Sequence, residues 1–131
     1  MGELEGKVVL VTGASRGIGA AIAKRFGAEG ARVAIAARTM EKHAHLAGSL
    51  VQTAKVIESY GGTAFPIAAD LADSAGLDRL VEQTVSELGP IDILVNNAAA
   101  AFYLPFTKVG EKRFRIANDI NFYAPWRLSQ L

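Results

Sequence analysis

The chain of 131 residues carries 14 Lys and Arg against 13 Asp and Glu, for a formal net charge of +1, and half of it is hydrophobic. That length holds one domain with one core, and balanced charge without a basic run or basic–aromatic interleaving gives no support to nucleic-acid binding. The lack of cysteine excludes disulfides and thiolate metal sites, and no apolar run reaches the about 20 residues of a membrane-spanning helix.

Residues 1–7 alternate acidic residues with glycine instead of forming the apolar stretch of a secretory signal. Gly6 stands where an N-myristoylation motif needs Ser or Thr, so a cytoplasmic protein is expected. Residues 7–12 (KVVLVT) form a β-branched run without polar interruption, the pattern of a strand covered on both faces. A glycine cluster follows, then residues 18–29, where Ile18, Ile22 and Phe26 recur every four residues on a helix face that Gly30 ends. Residues 32–37 (RVAIAA) read as a second buried strand. Residues 50–60 read as a helix through Leu50, Val51, Ala54 and Ile57, stopped by Gly61 and Gly62. A third strand at 63–69 precedes a helix marked by Leu77, Leu80, Val81, Val85 and Leu88 and closed by Gly89-Pro90. Residues 91–95 (IDILV) form a fourth strand, and a last helix runs from about Glu111 toward the end.

Strand and helix in alternation are the mark of a parallel sheet with helices on both faces, joined by right-handed crossovers. The expected strand order is 3-2-1-4. Sheets of this type have about six strands, and only four are visible. The last residues, from Trp126 to Leu131, continue a helical pattern with no glycine, asparagine or proline stop. The expectation is therefore a single incomplete domain over residues 1–131, truncated after the fourth strand and the helix that follows it.

Thr12-Gly13-Ala14-Ser15-Arg16-Gly17-Ile18-Gly19 lies between the first strand and the first helix. Glycine there gives a tight turn, lets the backbone approach a pyrophosphate and packs helix against strand. The free N–H groups and the positive end of the helix dipole then suit phosphates. The pattern T-G-x-x-x-G-I-G after a first strand resembles the short-chain dehydrogenase/reductase family. Asp70-Leu71 after the third strand, Asn96-Asn97-Ala98 after the fourth and Asn121 in the last helix resemble further marks of that family, in order along essentially the whole chain. The resemblance implies a Rossmann-type, doubly wound α/β fold and hydride transfer between a nicotinamide and a small-molecule carbonyl or alcohol. It implies cofactor contacts from Gly13, Ser15, Arg16, Gly17, Ile18, Gly19, Arg38, Thr39, Asp70, Leu71, Asn97, Ala98 and Ala99. It also implies a homo-oligomeric parent. Two departures stand out: Ala99 replaces a glycine of N-N-A-G, and the segment from Arg38 to Gly61 is several residues longer than usual around residues 40–49.

In relatives that use NAD an acidic residue ends the second strand and binds the ribose 2′-hydroxyl. Ala37 occupies that place, Arg38 follows it, and Arg16 sits in the glycine turn. Two guanidinium groups suit a 2′-phosphate, so NADP is expected in preference to NAD.

The family's catalytic set is a serine, a tyrosine, a lysine and an asparagine. Of these, only Asn121 has a counterpart here, its backbone carbonyl supporting a water of the proton relay. Tyr123 and Arg127 imitate Y-x-x-x-K in the wrong helix, and arginine supplies no amine of tunable basicity. Tyr103 and Lys108 do not share a helix face, and His43 with His45 lacks the further ligands of a metal site, so no metal is expected. Phe102, Tyr103, Leu104 and Phe106 fit a substrate mouth and a core equally. Two classes of function remain open: part of an oxidoreductase whose 131-residue piece is inactive alone, or a non-catalytic dinucleotide-binding or interaction module. The unstopped last helix favours the first. Methyltransferases of similar fold want the acidic residue that Ala37 replaces.

Overall fold

The computed structural model describes residues 2–40 and 48–131. His43, His45 and most of the longer segment at 40–49 lie outside the described residues. The strands β1 (Val8–Thr12), β2 (Arg32–Ala37), β3 (Thr63–Ala68) and β4 (Ile93–Val95) form one sheet in the order β3-β2-β1-β4. Every neighbouring pair is parallel, with Val9 opposite Val33 and Ile93 at the centre. The expected strand order and parallel pairing are therefore present. The helices are α1 (Gly17–Ala28), α2 (Leu50–Ser59), α3 (Ser74–Leu88), α4 (Glu111–Asn118) and α5 (Ala124–Gln130).

Alternation along the strands divides the core into two layers. Val9, Val11, Val33 and Ile35 point to the face covered by α1 and α2, where Ala23, Leu50, Ala54 and Ile57 meet them. Val8, Leu10, Ala34 and Ala36 point to the other face, against Leu77, Leu80 and Leu88 of α3 and Ala124 and Leu128 of α5. β1 is buried along its whole length, which is why its sequence is an unbroken apolar run.

Several boundaries and faces differ from the sequence reading. β4 starts at Ile93 because Asp92 leaves the ladder. Its carboxylate accepts from the Val8 N–H at 2.8 Å while its own N–H donates to the Val8 carbonyl. α3 starts a turn before Leu77, where the Asp73 carboxylate caps it by accepting from the Ala75 N–H. The fully buried face of α1 is Gly19, Ala20, Ala23 and Gly27; of the expected stripe, Ile22 and Phe26 are half-buried against the same layer, whereas Ile18 is 72% exposed. Small residues let this helix lie close to its neighbours: a Cβ on Gly27 would come within 2.7 Å of Ile57. On α2 and α3, Thr53 and Thr84 are buried where Val51 and Val85 were expected. The Thr84 hydroxyl is satisfied by the Leu80 carbonyl four residues earlier, and the Thr53 proton is shared between the carbonyls of Ala14 and Ser49, so burial leaves no unpaired donor.

The last helix runs on but is not α-helical throughout. A π-helical turn, Asp119–Tyr123, separates α4 from α5. α4 buries none of its residues, whereas α5 enters the core through Ala124 and Leu128. Among the described residues no helix is long and apolar enough to cross a membrane.

α3 ends against β2. The Arg32 guanidinium donates to the Leu88 carbonyl at 2.6 Å and to the Glu87 carbonyl at 3.5 Å, serving the open end of the helix from a neighbouring strand. Arg32→Met keeps the stem and removes the donors. It should lower stability by about 1 kcal/mol, seen as a lower urea midpoint at unchanged slope.

Candidate functional site

The carboxyl ends of β1 and β4 meet where the chain direction away from the sheet reverses, the place where open α/β sheets bind ligands. The Thr12 hydroxyl, on a residue only 2% exposed, joins the two ends. It accepts from the N–H of Asn97 at 3.2 Å and of Ala98 at 3.1 Å, and donates to the Val95 carbonyl at 3.4 Å. The Asn97 side-chain amide donates to the Gly13 carbonyl at 3.1 Å. These bonds draw the two loops together until no side chain fits between them. A Cβ on Gly13, which sits at φ +67°, would lie 2.9 Å from the Ala98 Cα, and one on Gly19 would lie 2.2 Å from the Gly13 carbonyl oxygen.

The start of α1 differs from that of α2 and α3. Ser49 caps α2 by accepting from the Gln52 N–H, and Asp73 caps α3. Arg16 at the head of α1 provides no side-chain cap, and no acidic residue lies in the first turn. Its N–H groups and dipole therefore face the cleft without an anion from the chain. Thr53 on α2 braces this turn by donating to the Ala14 carbonyl at 2.9 Å.

The cleft above these loops has a volume of about 800 Å³, within the size range of small-molecule sites. Gly13, Ser15, Arg16 and Gly17 line it from the glycine turn, Arg38 and Thr39 from the end of β2, Leu71 from beyond β3, and Asn97, Ala98 and Ala99 from the end of β4. Arg16 and Arg38 are both exposed and make no ion pair among the described residues.

Four residues singled out in the sequence lie outside the lining. Gly19 is packed beneath the turn against Gly13 and Asn97, and Ile18 points to solvent. Asp70 uses one carboxylate oxygen to accept from the Ala72 N–H at 3.0 Å. Asn121 reaches the site through the loop after β4: its side chain accepts from the Ala100 N–H at 2.8 Å and donates to the Ala100 carbonyl at 2.7 Å, pairing with the backbone as a strand neighbour would.

The sequence reading missed Ala36, Ala69, Ala100, Ala101, Ile116 and Ile120 in the lining. The isoleucines are spaced by four on one helical face, a signal obscured by the charges between Glu111 and Arg115. Phe102 lines the cleft, whereas Tyr103 and Phe106 are almost fully exposed, so neither a core nor one common mouth describes that aromatic segment. Tyr123 stacks toward Trp126, and Arg127 pairs with Asp78 of α3 at 3.3 Å, both away from this cleft. Among the described residues no cluster of three His, Cys, Asp or Glu could hold a metal ion.

Residues 7–131 match the profile of a family described as short chain dehydrogenase. Hydroxysteroid dehydrogenase-like protein 2 of Mus musculus is 42% identical over 120 residues, covering 92% of this chain and 24% of the mouse protein. The protein of that name from Danio rerio is 40% identical over 99% of this chain and 31% of its own length. A short chain dehydrogenase from Mycobacterium thermoresistibile superposes with a TM-score of 0.91 at 43% identity, covering 98% of this chain and 46% of that one. A metagenomic short-chain oxidoreductase in complex with NADP superposes at 0.87 with 37% identity, covering 97% of this chain and 55% of its own. The chain thus spans under a third of these curated relatives and about half of these solved neighbours.

Thr12→Val keeps the shape of the side chain but strands the Ala98 N–H and leaves the Asn97 N–H only its bond to the Val95 carbonyl. It should cost about 2 kcal/mol of unfolding free energy, and Thr12→Ser should recover most of it, both read by chemical denaturation.

Proposed function

The chain belongs to the short chain dehydrogenase family, and on that premise we propose that it is the cofactor-binding part of an NADP-preferring oxidoreductase acting on a carbonyl or alcohol. The observation that carries this reading is the start of α1, which has neither a cap nor an acidic residue and opens into a cleft also lined by Arg16 and Arg38. Relatives of the same fold with NADP or NADPH bound lend further support.

The residues present fit a dinucleotide. Gly13 and Gly17, both at positive φ, hold the turn close around a pyrophosphate, and nothing lies within 4 Å of where a Cβ on Gly17 would stand. The N–H groups at the head of α1 would bind its oxygens. Ser15 adds a hydroxyl at the same end of the cleft. Arg16 and Arg38 would take the 2′-phosphate by charge-assisted hydrogen bonds, with Thr39 beside them and the carboxylate that would repel it replaced by Ala37. Leu71 and Asp70 fall at the adenine end, Leu71 as an apolar wall and Asp70 through its remaining acceptor capacity. Ile18 and Gly19 act by setting the turn, Gly19 through close packing and Ile18 as its exposed shoulder.

Asn97, Ala98 and Ala99 form the wall for the nicotinamide, which when bound supplies or accepts the hydride. Thr12 fixes that wall from below. Asn121 fixes its continuation by clamping Ala100, and so orients the helical turn whose carbonyl would hold a relay water. Carbonyl reduction also requires a proton donor beside the developing alkoxide. The cleft lining contains no tyrosine, lysine or histidine among the described residues. We therefore assign residues 1–131 to a single incomplete dinucleotide-binding domain that turns over no substrate alone, within a complete, oligomeric, cytoplasmic parent. A purely dinucleotide-binding module would share the cleft but gain no activity when downstream sequence is restored.

Fluorescence titration of the parent should show NADPH binding more tightly than NADH, and Arg38→Asp should reverse the order. Equal affinities in the unmodified protein contradict the assignment. NADPH oxidation with a panel of ketones should stay at background for residues 1–131 and rise with the full reading frame, a positioned acid being worth roughly 10²–10⁴-fold.

A further inference from the structure

Part of the cleft lining is apolar: Ala100, Ala101 and Phe102 of the loop after β4, and Ile116 and Ile120 of the last helical segment. Arg113 precedes Ile116 by three residues and so shares a face of α4 with it, its own side chain exposed beside the cleft lining. Its guanidinium carbon lies 5.6 Å from the centre of the Phe102 ring, so the residue that lines the cleft also holds the cation. Arg115 on the same helix is paired with Glu111 at 3.5 Å, but among the described residues Arg113 faces no carboxylate partner. Residues 108–115 hold Lys108, Lys112, Arg113 and Arg115 against the single carboxylate of Glu111, in a chain whose overall charge is only +1.

We propose that Arg113 recognises an anionic group at the mouth of the cleft, so that the substrate is an apolar carbonyl or alcohol compound bearing a carboxylate or phosphate. This rests on the oxidoreductase reading above. A guanidinium laid on an aromatic ring loses water from that face and keeps its edge N–H groups free to donate in a fork. The fork matches the paired oxygens of a carboxylate or phosphate. The isoleucines and Phe102 take the apolar body of the ligand, and the surrounding lysines raise the local concentration of anions without fixing their geometry.

The test uses the complete parent protein with NADPH and two probes of equal length, dansyl-labelled undecanoate and its primary amide. The carboxylate should bind about tenfold more tightly than the amide, the gain of one charge-assisted hydrogen-bonded pair. Arg113→Gln should abolish that difference, and Phe102→Leu should shrink it by releasing the guanidinium. Lys55→Gln, an equal charge change on the exposed face of α2, should leave it intact. Dodecyl phosphate that displaces the carboxylate probe admits a phosphate head; failure to displace it confines the ligand to carboxylates. Equal affinity for carboxylate and amide in the unmodified protein, or an equal effect of Lys55→Gln and Arg113→Gln, overturns the inference. Ketone reduction is followed in parallel. Charge-selective binding without NADPH oxidation on any ketone keeps the anion site and overturns the oxidoreductase reading, whereas reduction without charge selectivity does the reverse.

Discussion

Thr12 is the point on which the site depends. Its hydroxyl is buried where two strand ends converge, and it satisfies two amide donors of the loop after β4 while giving its own proton to the last carbonyl of that strand. With the Asn97 amide on the Gly13 carbonyl, it brings two loops from distant parts of the chain closer than a side chain would allow. The glycines of the turn follow from that approach. Gly13 is required both by its backbone angle and by the Ala98 backbone opposite, and Gly19 by the Gly13 carbonyl above it. The pattern in the sequence is thus the imprint of a distance between β1 and β4.

Much of the sheet could be read in advance because buried parallel strands leave little choice of residue. The runs at β1 and β2 contain almost nothing polar, and the glycine stops after α2 and α3 are explicit. Helix faces were harder to read. On α1 hydrophobicity pointed to Ile18, Ile22 and Phe26, yet the helix turns Gly19, Ala20, Ala23 and Gly27 fully inward, keeps Ile22 and Phe26 at the flank of that layer and exposes Ile18. Close approach to the sheet and to Ile57 favours small volume over apolar area there, and periodicity weighted by hydrophobicity does not register volume. The buried threonines Thr53 and Thr84 went unseen for a related reason: their hydroxyls find carbonyls once folded, Thr84 in its own preceding turn and Thr53 there and at Ala14.

At the site itself, residues held by backbone demands were more legible than residues held by shape. The glycine turn, Arg38 and Asn97 line the cleft at positions that motif spacing indicates. Ala36, Ala69, Ala100, Ala101, Ile116 and Ile120 complete it, but alanines carry no chemical signature and the isoleucines stand among charges. The Asn121 clamp on Ala100 could not be inferred, since it depends on where a helix after β4 folds back onto the loop that precedes it.

The π-helical turn from Asp119 to Tyr123 acts on the phase of the last helical segment. Ile116 and Ile120 look into the cleft before and within it, Ala124 and Leu128 enter the core after it, and Asn121 lies inside it. A regular α-helix advances about 100° per residue, so residues spaced by four drift steadily around its axis. The wider turn takes up part of that drift and lets one segment serve a ligand wall and a packed layer in succession. The effect of a length change there is therefore one-sided. Removing one residue between Asp119 and Tyr123 would let the segment close to a regular α-helix in nearly the same phase, because the wider turn already holds about one residue more than an α-helical one. Adding a residue beyond it would rotate Leu128 against Ile116 by about 100°, forcing a choice between Leu128 in the core and Asn121 on Ala100.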